Sequence, residues 1–120
     1  MEPGEVAKKI EARIKRLDEL TAQLDDAANT KAVAVGDYDK AIAIATAKLA
    51  LGTVKEVCGE AVDGKQPATL IKKLAEGMCY EERVTQEIAT NGYKALLTKI
   101  EVLEATLNGF QSINRHLSHT

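Results

Sequence analysis

His116 and His119 stand three residues apart near the end of the chain, a spacing that brings two imidazoles to one side of a helix, where they could share a metal ion. A zinc site needs three or four ligands, and no Cys, Asp or Glu occurs among the last dozen residues. The pair therefore reads as a polar tail, and no metal is expected. Glu81, Glu82 and Glu87 fall on one helical stretch, but none is followed three residues later by histidine, the spacing with which helical bundles hold paired metal ions. They read as surface charge. Cys58 and Cys79 are the two thiols, and a nucleophilic cysteine needs a base beside it, whereas both histidines lie at the far terminus. The two cysteines flank one turn region, so an oxidised pair would be a staple. In a reducing compartment they read as packing residues. Gly52, Gly59 and Gly64 lack the spacing, and the following Lys-Ser/Thr, of a phosphate-cradling loop. No cofactor and no enzymatic activity are expected.

Charge gives little more. Sixteen basic and eighteen acidic residues are interspersed, for a net charge of −2, so no strong field draws a nucleic-acid backbone or an anionic membrane. The densest basic run is Lys8, Lys9, Arg13, Lys15 and Arg16, with Lys72-Lys73 as a second. Neither carries the interleaved aromatics of a single-strand binding surface. Glu5 with Lys9 and Glu11 with Lys15 are acid-before-base pairs at four-residue spacing, expected on a solvated helix face. No apolar run reaches the roughly 20 residues that span a bilayer, and the first residues lack the charged and apolar regions of a signal peptide. A cytoplasmic protein with no membrane partner is expected.

The elements that would position these residues are helical. The apolar content of 45% suits a folded domain, and its dominance by Ala, Leu, Ile and Val with few aromatics is that of a helical bundle. Pro3 and Pro67 are the only prolines, so nothing between or after them must break a helix. Ile10, Ile14, Leu17, Leu24, Ala28, Val35, Tyr38, Ile42, Ala45 and Leu49 form lines recurring every seven residues. Their phase persists through Asn29-Thr30 and Gly36, which predicts one long helix over about 6–51. Glycines and Pro67 then mark a turn, followed by a short helix over Ala68–Glu76 with Gly77 as its stop signal, all within 52–78. A second long helix follows over about 79–118. In it Tyr93, Leu96, Ile100, Leu103, Leu107, Phe110, Asn114 and Leu117 alternate steps of three and four. Val84 and Ile88 lie on a rotated stripe, which predicts a bend or stutter at Asn91-Gly92.

The expected fold is a single all-α domain over 1–120, an antiparallel long-helix hairpin with a short connecting helix. The predicted seam comprises Ile10, Leu17, Leu24, Ile42, Leu49, Leu96, Ile100, Leu103, Leu107 and Phe110. Leu97, Val102 and Ile113 widen the apolar face beyond one partner. The hairpin is therefore expected to join a second copy as a four-helix bundle or coiled-coil assembly, a dimer being favoured. Asn114, polar within the seam, either sets register or belongs to a frayed last turn.

Tyr93-Lys-Ala-Leu-Leu, followed by Leu103, Leu107 and Gln111-Ser112, resembles the final helix of small helical proteins encoded by phages and other mobile elements. The likeness covers the last third of the chain, implies an accessory role there, and carries over no functional residue. The leading expectation is a non-enzymatic interaction protein that binds itself and an unidentified protein partner. The alternative is a nucleic-acid accessory factor of recombination or early phage functions, using the Lys8–Arg16 face.

Overall fold

The computed structural model describes residues 2–118. Over these the protein is all-α, with α1 at Pro3–Leu51, α2 at Ala68–Met78 and α3 at Tyr80–Ser118. Between α1 and α2 lies one element that the sequence reading did not anticipate, a two-stranded antiparallel ribbon of β1 (Glu56–Val57) and β2 (Glu60–Ala61). The chain divides into two compact units, Met1–Asn29 with Asn91–Thr120, and Thr30–Thr90.

Helix α1 opens earlier than expected because Pro3 supplies a φ already suited to the first helical position. The amides of Glu5 and Val6 both donate to the Glu2 carbonyl at 3.1 Å. Nothing within α1 stops it. Asn29-Thr30 and Gly36 lie inside the helix, where a glycine costs only about 1 kcal/mol relative to alanine. The stop comes at Gly52, whose φ is +74°. Its amide donates to the Leu49 carbonyl at 3.2 Å, and the Thr53 amide donates to the Lys48 carbonyl at 3.1 Å. These are the two reversed bonds of a Schellman ending.

The first unit has a narrow core. Val6, Leu20, Ile100 and Leu107 are buried, and Ile10, Leu17, Leu24, Leu96, Leu103 and Phe110 are half-buried around them. The line through Ile10, Leu17 and Leu24 is half-buried, its companion is Val6–Arg13–Leu20, and Ile14 is 43% exposed. Arg13 can occupy an inward position because its alkyl stem packs while its guanidinium reaches an aromatic face. That guanidinium lies 4.6 Å from the centre of the Phe110 ring, and the Lys9 ammonium 5.6 Å from it. Lys9, expected to answer Glu5, sits over an aromatic ring instead. Among the described residues the ion pair is Arg16 with Glu19, at 3.3 Å on the surface.

In the second unit Ala45, Leu49, Val57, Ala75 and Cys79 form the buried centre, with Tyr38, Ile42, Ile71, Leu74 and Met78 packed against it. The ribbon turns through Cys58 (φ 52°) and Gly59 (φ 83°), two successive left-handed residues of the kind that match a hairpin's twist. This turn aims Val57 into the core and lets the Cys58 thiol donate to the Gly77 carbonyl at 3.4 Å. Helix α2 therefore does not stop at Gly77 but continues to Met78. Gly77 serves a close approach, since a Cβ there would stand 3.3 Å from the Cys58 sulfur. Cys79 separates α2 from α3, its amide bonding back to Ala75 and its carbonyl accepting from Arg83, both at 3.0 Å.

Helix α3 is continuous through Asn91-Gly92, the position of the expected bend or stutter. Upstream of Tyr93 the inward positions are Ala89, Gln86, Glu82 and Cys79, all buried or half-buried, in the same three-four rhythm as the rest of the helix. Of the rotated stripe Val84 is half-buried and Ile88 is 68% exposed. Glu82 and Gln86, both polar, take inward positions on either side of Val84.

Candidate interaction surface

Of the expected seam residues, Leu49, Ile100 and Leu107 are buried, while Ile10, Leu17, Leu24, Ile42, Leu96, Leu103 and Phe110 are half-buried. Asn114 is exposed. His116 is an exposed residue of the last turn of α3. His119 lies outside the described residues.

Within the first unit α1 and α3 leave a groove of about 540 Å³. Leu20, Val102 and Leu103 give it an apolar floor, and Arg13, Arg16 and Lys99 line it without any carboxylate. Val102 is 62% exposed. The Thr106 hydroxyl in the same groove donates to the Val102 carbonyl at 3.0 Å, so it is satisfied by its own helix. The surface is apolar with positive edges, suited to an apolar helix flanked by acids. The sequence offers Arg13 and Arg16 as part of the basic Lys8–Arg16 run, and nothing in it shows that they surround, with Lys99, a shared apolar strip.

The second unit carries two concavities of its own. A cleft of about 590 Å³ is lined by Tyr38, Asp39, Ile42, Lys72, Glu76 and Gln86, among others. Its charged residues are of both signs, Lys72 against Asp39 and Glu76. A smaller notch of about 220 Å³ is formed by Ala34, Asp37, Glu81, Glu82 and Thr85. It is wholly acidic, and none of its carboxylates has an ion pair among the described residues. Glu82, read from the sequence as surface charge, is half-buried. Its carboxylate and the burial of the site both act on Cys79, burial more strongly, and they raise that thiol above its ordinary pKa.

The two thiols are both free, Cys58 exposed and Cys79 buried. A raised pKa and burial each suppress the thiolate, the reactive form. Ellman's reagent is therefore expected to titrate one thiol quickly in the native protein and two after denaturation. Replacing Cys58 with serine should remove the fast phase, and two fast thiols in the native state would contradict the buried placement of Cys79.

No described helix is long and apolar enough to cross a membrane. No protein-family model matches the chain, and no curated protein or solved structure matches it.

Proposed function

We propose that this chain is a non-enzymatic helical interaction protein. In this reading its long helices pair as an antiparallel hairpin, and a second copy completes a four-helix bundle. The observation that carries the reading is the surplus apolar surface of α3. Within the first unit Val102 and Ile113 remain exposed, eleven residues or about three turns apart and so on one side of the helix. A helix that has buried one stripe and shows a second has a face for another neighbour. The antiparallel sense is supported within the first unit, where Arg13 meets Phe110 while Leu20 shares a groove with the earlier residue Lys99.

The setting of a phage or mobile-element accessory protein rests on the likeness of the final helix alone.

Light scattering across the micromolar range is the test. The wild-type protein is expected at twice the chain mass. Val102→Glu, which puts a charge on an apolar contact and sets a carboxylate of the same chain beside Arg16 and Lys99, should bring it to the mass of one copy while the helical circular dichroism persists. A wild-type protein of single-chain mass sinks the reading, and so does a Val102→Glu variant of unchanged mass.

A further inference from the structure

We propose that the basic-edged groove of the first unit receives the acidic face of the second unit of another copy, so that two chains associate head to tail. The proposal rests on the self-association reading and specifies which surfaces meet. The groove fixes the chemistry of its occupant. Its floor of Leu20, Val102 and Leu103 calls for apolar side chains, and Lys99, together with Arg16, whose pair with Glu19 is a half-exposed surface contact, calls for carboxylates beside them.

The second unit presents that combination. Asp37, Glu81 and Glu82 surround its notch. Val33 stands one helical turn before Asp37, and Ile88 one turn after Thr85, so each lies on the same helix face as the notch residue it flanks. Val33 is 64% exposed, and Ile88 is more exposed still. These are apolar prongs set among acids. The carboxylates do not gather as a metal-ligand set.

The alternative stacking, like unit on like unit, is disfavoured by the same charges. It would put Arg13, Arg16 and Lys99 against their own copies and Asp37, Glu81 and Glu82 against theirs. Exposed ion pairs add little affinity one at a time, but repulsion against the wrong register gives specificity.

The test is charge exchange at exposed positions, which leaves both cores untouched. Arg16→Glu with Lys99→Glu turns the groove acidic, and Asp37→Lys with Glu81→Lys turns the opposing face basic. Each double variant alone is expected to lose self-association by about tenfold or more, with its helical spectrum unchanged. An equimolar mixture should regain the wild-type mass, because both contacts again join opposite charges. If both variants keep the wild-type mass while Val102→Glu dissociates, the register is wrong and self-association stands. Variants that dissociate but fail to recombine also overturn the register, pointing to a different acidic occupant of the groove. A wild-type protein of single-chain mass removes the self-association reading and this proposal together.

Discussion

Replacing Leu49 with alanine is expected to lower the unfolding free energy by about 2–5 kcal/mol, the range for deleting a fully buried leucine side chain. Leu49 has no exposed surface at all, and it packs in the last turns of α1 with Ala45, Val57, Ala75 and Cys79. Its neighbours come from α1, the ribbon and α2, so a cavity there loosens three elements at once. Two of those neighbours are alanines, already too small to lean into the space, and collapse can recover little of the lost contact. A protein of this size has roughly 5–15 kcal/mol of stability in all, so the change removes a large part of it. Urea unfolding followed by circular dichroism measures the loss. Leu51→Ala, two residues on and exposed, is the control and should cost about 0.5 kcal/mol or less. Equal costs at the two positions would show that the second unit has no core of the kind described.

The contrast between Leu49 and Leu51 also shows what the sequence could and could not reveal. Heptad spacing marked Leu49, and it marked the run from Tyr93 to Phe110, because there the inward positions are apolar and the rhythm is uninterrupted. It failed wherever a polar residue faces inward. Arg13 took an inward position by stacking on Phe110, which pushed the apparent stripe onto Ile14. Glu82 and Gln86 did the same in the first turns of α3, and Ile88 then looked like a displaced core residue. The ribbon escaped notice for a different reason. Two-residue strands are too short to show alternation, and its turn uses Cys58-Gly59, not the Asn-Gly or Asp-Gly pairs that announce such hairpins. The candidate surface was the least legible part. A basic groove is a property of two helices together, and Lys99 joins Arg16 only once both faces are in place.

Replacing Gly52 with alanine is expected to destabilise the protein by more than the usual loss at a helix end. A non-glycine residue held at a left-handed φ costs about 1–3 kcal/mol, and Gly52 has φ +74°. A Cβ there would also meet the Lys65 amide nitrogen at 3.0 Å and the Gly64 carbonyl carbon at 3.1 Å. Those atoms are backbone of the segment leading into α2, and that segment is itself pinned, since the Gln66 side-chain amide donates to the carbonyls of Asp63 at 3.1 Å and Gly64 at 3.3 Å. Relief therefore requires moving the connection that delivers α2 to the core, or giving up the Schellman bonds that end α1. Gly92→Ala is the matched control. Gly92 lies within α3 and a Cβ there meets nothing within 4 Å, so the alanine should stabilise the helix by about 1 kcal/mol. Thermal unfolding of the two variants should move the midpoint in opposite directions, down for Gly52→Ala and up for Gly92→Ala. A Gly52→Ala protein as stable as wild type would mean that α1 does not end at this residue, and the placement of the ribbon over Leu49 would fall with it.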